Sequence, residues 1–547
     1  MGDRWHIPGI AVGIVSLVML MPGGTAMQVD SCMAIEEPGE YQLNRSLTAA
    51  SSCISINSID VVLDGAGYSI EGQGSGYGVE VPGSTALRNV TVKNLTVTGW
   101  ERGIAFNNVI EGNITNIITS SNGVGISILN SSIILTNNVA YQNYGSGIVL
   151  EFSYRSVLIN NTAGSNSRYG IELSSSSNNT LTGNTAELND YGMHLIYSGN
   201  NTLTGNNASS NSWIGVYIES SIGNTLTGNI ANSNKDYGIY LESSNGNALN
   251  NNIADSNKNY GIYFYTSDNN TLINDRASLN SDTGIYFLYS NDNTLTNSTA
   301  SSNGENGVYL EFSSMNTLIN NTAHSNIDRG IDLYFSYGNM LVNNTIFNST
   351  DGILTGESSG NSILSNRVYN TIGQGIVLVQ AFNNILSKNN VSFNSGEGIL
   401  ILQGSWNNTI SDNTANSNGQ CGGICLLNSS GNILTNNTAN SNTIGVSLGS
   451  SGGNILNNNI ADSNDNYGIH IHGESALYAA PVVSFRFINV NASNLSTAGN
   501  GAYINDHGNY TMQDNDGYFT YELPFAFPFM GRNITKVSVN TNGLIEL

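Results

Sequence analysis

Charged side chains are scarce in this 547-residue chain: Asp, Glu, Lys and Arg together make up 10% of it. Within that share 16 basic residues face 39 acidic ones, a formal net charge of −23. Nucleic acid is thereby excluded as a partner class, because phosphate binding needs a basic stripe that so few lysines and arginines cannot assemble. The acidic surface keeps a long molecule soluble and offers cations or hydrated sugars a place to sit. Long apolar runs are missing too: beyond the first 28 residues no segment reaches the ~18 apolar residues of a membrane span. No stretch carries a 3.6-residue hydrophobic period of useful length, which excludes a helical architecture. With only four cysteines and six histidines, metal centres built on them have few residues to draw on.

What is present begins with Arg4 and His6 ahead of an apolar run at residues 7–21, followed by Gly23, Gly24, Thr25 and Ala26. A basic start, a short apolar core and small residues read as an export signal over residues 1–28, placing the mature chain outside the cell or on its surface. Outside, cysteines oxidise. Cys32 and Cys53 flank the first strand-like segment and are expected to close an amino-terminal cap, while Cys421 and Cys425 are expected to staple the bulge of a coil lengthened to 25 residues. About twenty Asn-x-Ser/Thr triplets, at Asn89, Asn160, Asn269, Asn343 and Asn436 among others, would admit glycosylation. An Asn- and Thr-rich repeat generates such triplets by itself.

A glycine followed by an aliphatic residue, or by Met193, recurs from Gly103 through Gly125, Gly147 and Gly170 to Gly468, with a mean spacing of 22.8 residues over 16 intervals. So regular a period excludes an ordinary globular domain. Within one unit, short apolar segments such as Thr225-Leu226-Thr227 and Gly238-Ile239-Tyr240-Leu241 alternate inward and outward residues and are bounded by Asn, Ser and Gly. Three such strands cannot bury Leu226, Ile230 and Ile239 alone, but a coil stacked about 4.8 Å above covers them. The expected fold is all-β: a right-handed parallel β-helix of about 17 coils, roughly 80 Å long at that spacing. Stacking makes columns, a leucine column through Leu181, Leu203, Leu226, Leu249, Leu272, Leu295 and Leu318, and an asparagine column through Asn184, Asn206, Asn229, Asn252, Asn274, Asn297 and Asn320. Stacked amides bond to one another along such a column, which makes these asparagines structural.

The Asn-Asn-Thr-Leu-Thr-Gly-Asn and Tyr-Gly-Ile-Tyr-Leu segments, preceded by Val61-Val62-Leu63-Asp64-Gly65, resemble NosD-type β-helix repeats over roughly residues 30–475. The resemblance implies a pectin-lyase-like fold in the wider group of carbohydrate-binding proteins and sugar hydrolases, which includes archaeal and methanogen surface proteins. It also raises copper, because NosD-type proteins are associated with copper-site maturation of a reductase. His470 and His472 share one strand face and are the candidate metal ligands, with Met193-His194 a looser hint.

Between the inward aliphatics of the Gly-Ile-x-Leu strands runs an outward row: Glu172, His194, Tyr217, Tyr240, Tyr263, Tyr286, Tyr309 and Asp332. Five consecutive tyrosines make an aromatic stripe expected to bind a polysaccharide or cell-envelope glycan, since tyrosine rings offer apolar faces with a polar rim. Two residues further on lie Ser174, Ile196, Glu219, Glu242, Tyr265, Leu288, Glu311 and Tyr334. Glu219 with Glu242, or Glu311 with Asp332, are candidate carboxylate pairs for acid/base chemistry, and the first pair also for calcium. An enzyme of this kind, a lyase, epimerase or glycoside hydrolase, is the alternative to a binding or structural protein. The near-uniform coils argue against it, as does the lack of an Asp-Pro-His-Asp segment of the kind alginate epimerases of this fold carry. Lys235 and Lys258 share a turn column beside Asp236 and are expected to form a solvated ion pair.

The expected division is a signal at 1–28, a cap and first coils at 29–102, regular coils at 103–475, and a β-sandwich-like segment at 476–547. That last segment is richer in Phe and Pro and stops after the Asn542-Gly543 turn signal, as a truncated module would.

Overall fold

One coil, residues 224–246, shows how the repeat closes on itself. Thr225–Thr227 is a strand of a first sheet, Ile230 makes a single bridge in a second, and Ile239–Glu242 is a strand of a third. The next coil pairs in parallel and in register, Leu226 opposite Leu249 and Ile239 opposite Ile262. The chain turns at residues held in the left-handed conformation: Gly223, Gly228, Ser233 and Ser243, at φ 69°, 63°, 57° and 48°. The residue after each corner, Asn224, Asn229, Asn234 or Ser244, points inward and is buried. Gly, Asn and Ser dominate the composition because this corner needs residues that tolerate positive φ or bond locally.

The computed structural model describes residues 26–473, and beyond them Arg486–Ile488, Asn491–Ala492, Leu495–Ala498, Tyr518–Phe529, Arg532–Asn540 and Ile545–Glu546. The apolar run at residues 7–21, expected to be the core of an export signal, lies outside the described residues. The molecule is a right-handed parallel β-helix of about 19 turns with three sheets. The glycine period from Gly103 marks 17 of them; Gly78-Val79 lies in register one coil earlier, and the coils ahead of it share the pairing without the glycine. Parallel pairing also runs past residue 475: Ile455 lies opposite Arg486 and Ile469 opposite Leu495. Tyr518–Phe529 and Arg532–Asn540 pair antiparallel, a different topology from the coils.

The core is a stack of aliphatic columns, with Leu226, Ile239 and Leu241 fully buried. Ile230 is not among them: it is 37% exposed, because Ala231 takes the inward place on the second sheet. Buried ladders of amides run alongside. Asn206 donates from its backbone N and Nδ2 to Asn229 Oδ1 at 3.0 and 2.9 Å; Asn229 repeats both bonds to Asn252 and adds one from Nδ2 to the Leu203 carbonyl at 3.0 Å. Beyond Asn252 the expected asparagine column is off by one residue. Asn274, Asn297 and Asn320 are the left-handed, outward corner residues, and the ladder continues through Asp275, Ser298 and Asn321.

The signature glycines answer to space. A Cβ on Gly238 would stand 2.6 Å from Asn257 Nδ2, 2.6 Å from the Gly261 carbonyl and 2.8 Å from the Ala231 carbonyl. Two of these are backbone atoms and the third belongs to a ladder, so nothing nearby can yield. Gly238→Ala is expected to cost about 3 kcal/mol or more, read as a lower urea midpoint with faster amide exchange in this coil and its neighbours. An unchanged midpoint would remove this reason for the period.

Both expected disulfides, Cys32–Cys53 and Cys421–Cys425, are formed, and no cysteine is free. Lys235 and Lys258 do stack in one turn column, their amides bonding to Asn211 and Asn234. Neither makes an ion pair among the described residues; Asp236 instead accepts from Asn259 Nδ2 at 2.5 Å. Among the described residues no helix is long and apolar enough to cross a membrane.

Candidate functional site

The third sheet carries the outward row on strands such as Tyr191–Ile196, Ile214–Glu219, Ile239–Glu242 and Ile262–Tyr265, held in register coil by coil from Glu172 to Asp332. Its rings stack face to face. Centroids lie 4.8 Å apart for His194 and Tyr217, then 5.0, 4.9, 5.2 and 4.9 Å from Tyr217 through Tyr240, Tyr263 and Tyr286 to Tyr309. The coil spacing dictates this, since identical side chains one rung apart have only each other's faces to meet.

Two expectations for this row need correction. The ring faces are covered by neighbouring rings, so interior tyrosines present edges and hydroxyls rather than apolar faces. Nor does the row lie fully in solvent: Tyr263 and Tyr286 are 9% and 7% exposed, and His194 and Asp332 are buried. A second aromatic file covers them. Tyr237 and Tyr260 stack on each other at 5.3 Å and stand edge-on to Tyr240, Tyr263 and Tyr286 at 5.0–5.3 Å. Tyr191 and Trp213, 5.7 Å apart, extend that file, and Trp213 is 54% exposed. The sequence reading missed these residues. The signal was there, as a tyrosine directly before Gly170, Gly192, Gly238 and Gly261.

Carboxylates edge the row. His194 Nε2 lies 3.1 Å from Glu219, the Tyr217 hydroxyl donates to Glu242 at 2.5 Å, and the Tyr286 hydroxyl donates to Glu311. Glu219 and Glu242 are register neighbours, and each accepts from the ring of the coil before it, which relieves the repulsion between them. Burial, reinforced by Glu242 and Glu311, holds the Tyr217 and Tyr286 phenols far above their ordinary range, and burial pushes Tyr237 up to about 12. The hydroxyls therefore stay protonated and act as donors. Burial lowers the His194 pKa against the opposing pull of Glu219, so the pair is a hydrogen bond from a neutral imidazole rather than a salt bridge. That tautomer leaves Nδ1 a lone acceptor, and Nδ1 indeed has no partner.

At the far end of the row Asp332 accepts from Arg329 Nη1 at 2.8 Å, and Asp328 lies 3.1 Å from the same nitrogen. Burial raises Asp332 to about 6 despite Arg329. At 3% exposure its carboxyl is enclosed. Of the four candidate catalytic carboxyls, three edge the row as hydrogen-bond acceptors and the fourth is closed in by an arginine.

His470 and His472 share the outward face of Tyr467–His472, as expected, but their rings stack with centroids 4.7 Å apart, and Tyr467 stacks on His470 at 4.7 Å.

The fold and this face define a parallel β-helix protein with a stacked aromatic row edged by carboxylates. The chain belongs to the NosD family, whose model, described as periplasmic copper-binding protein (NosD), matches residues 53–221, 176–297 and 272–421. A model described as right handed beta helix region matches residues 351–517. No curated protein matches significantly. Among solved structures, the chain is similar to the A-module of mannuronan C-5 epimerase AlgE4 from Azotobacter vinelandii, at 16% identity over 56% of this chain and 88% of that one, TM-score 0.41. A mutant of the periplasmic alginate epimerase AlgG shows 16% identity over 49% and 78%, TM-score 0.42, and pectate lyase Pel9A 14% over 45% and 67%, TM-score 0.31.

The family description raises copper, and the donors do not fit it. All four cysteines are in disulfides, the paired histidines stack, and among the described residues no three His, Cys, Asp or Glu side chains converge.

Proposed function

We propose that this is an exported β-helix that binds an extended polysaccharide of the cell envelope or surroundings along its third sheet, without chemistry on it. The observation that carries the reading is the file of stacked rings from Tyr169 through His194 to Tyr309, edged by Glu219, Glu242 and Glu311, which accept from its imidazole and phenol groups. A ligand with its own linear repeat meets a lattice of donors and acceptors there, and hydroxyl-rich sugars suit both. Membership of a periplasmic family supports export. The enclosure of Asp332 weighs against an acid/base role for it.

The interior tyrosines brace the sheet, so truncating them would disturb the fold as well as a binding face. Trp213 is the cleaner probe, being half exposed and packed on Tyr191. Trp213→Ala is expected to weaken retention in native gels containing hydroxyethyl cellulose, xylan, mannan, chitosan or alginate by about tenfold in the polymer that retards the parent chain, with an unchanged melting profile. Unretarded migration of the parent chain in every gel would sink the binding reading.

A further inference from the structure

The corner rule of the coils writes an acceptor sequence. Where the left-handed residue is Asn, the inward one Asn or Ser and the next outward one Thr, the corner reads Asn-x-Thr, the triplet for N-linked glycosylation. The acceptor is then the outward residue. Asn178, Asn200, Asn269, Asn297, Asn320 and Asn343 all have φ between 52° and 61° and are all exposed, while the Asn or Ser between acceptor and Thr is the buried ladder member. The ladder explains why the triplets recur, and the same geometry presents every one of these six side-chain amides to solvent.

Their placement is uneven. All six lie at the two corners bordering the first sheet, beside strands such as Thr180–Thr182, Thr202–Thr204 and Thr317–Ile319. Across residues 165–345 the corners bordering the third sheet hold no left-handed Asn; they hold Ser, Thr, and bulky residues such as Leu188, Tyr197, Leu279, Tyr289 and Phe312. Conformational economy does not account for this, because bulky side chains adopt positive φ at greater cost than Asn. Asn returns to these corners in acceptor triplets at Asn130, Asn348 and Asn428, outside the span of the aromatic row.

We propose that the chain carries N-linked glycans in columns along both borders of the first sheet, and that the borders of the third sheet are kept free of them where the aromatic row runs. In the modification, Asn Nδ2 bonds to the anomeric carbon of a sugar carried on a lipid-linked phosphate. The anomeric C–O bond breaks, the phosphate leaves with its electron pair, and the amide gives up one proton. The donor and its transferase belong to the exporting cell. This inference is independent of whether the third sheet binds a polysaccharide.

Peptide mapping by mass spectrometry of the protein recovered from the cells that make it tests the assignment. Sugar-bearing peptides are expected at the six corner asparagines, and bare ones for the corners bordering the third sheet across residues 165–345. Leu279→Asn completes an acceptor triplet with Asn280 and Ser281 at a third-sheet border and should gain a glycan there, showing that the corner geometry suffices. All six asparagines at unmodified mass would overturn the proposal, as would a sugar on a third-sheet border of the parent chain within that span.

Discussion

Asp275→Asn is expected to stabilise the solenoid by several kcal/mol at about pH 8 and to change little at about pH 3. Asp275 occupies a place in the ladder that coils before it fill with asparagine. Its Oδ1 does an amide oxygen's work, accepting from Asn252 N and Nδ2 at 2.7 and 3.0 Å. Its Oδ2 is buried without a partner, where the amides of Asn229 and Asn252 donate to the carbonyls of Leu203 and Leu226. By the same register Oδ2 faces Leu249, and only a protonated carboxyl can donate to that carbonyl. Burial accordingly raises Asp275 to about 7, against the two bonds from Asn252.

The sign follows from proton counting. An unfolded Asp titrates at about 4, so between about pH 4 and about pH 7 the folded chain holds a proton the unfolded chain has released. The contribution of the site is intact below the unfolded value and lost as pH rises through the folded one, falling by about 1.4 kcal/mol per pH unit for a total on the order of 4 kcal/mol. Asp332, Glu172, Asp236 and Asp351 are also raised, mainly by burial, and push the parent chain the same way. Urea midpoints measured across this range should decline steadily for the parent and much less for Asp275→Asn. Parallel curves would show that Asp275 is ionised and satisfied in the folded chain.

Period, glycine signature, leucine column and disulfides were legible because each depends on spacing, and spacing is what a solenoid converts into contact. The ladder slipped for a definite reason. Gly183, Gly205 and Gly228 mark the corner plainly, but at 274 and 297 the corner is itself an Asn while the inward residue is Asp275 or Ser298, so following asparagines leads to the outward position. Counting three residues from Leu272 and Leu295 resolves it to Asp275 and Ser298. The tyrosine row was legible as outward, since alternation fixes direction, whereas its burial was not. That burial depends on Tyr237 and Tyr260 folding edge-on over the row from the approach to the same strands, a contact no periodicity encodes.

Asn229→Ala tests the ladder itself, and its effect should exceed that of removing any outward threonine. Alanine leaves the Asn206 backbone N–H, Asn206 Nδ2 and the Leu203 carbonyl buried without their Asn229 partner. At about 1–3 kcal/mol for each stranded group, with some relaxation, a loss of about 4 kcal/mol is expected. Because each coil touches only its neighbours, the damage should be local: amide exchange rises sharply across residues 203–252 and stays unchanged beyond residue 400. Asn229→Asp is the companion variant. It keeps the acceptor for Asn206 and, once protonated, supplies a donor to Leu203, so it should recover most of the parent stability at about pH 4 and lose it at about pH 8. If Asn229→Ala unfolds like the parent, the amide columns fill space without holding the coils together, and the pH dependence assigned to Asp275 loses its basis as well.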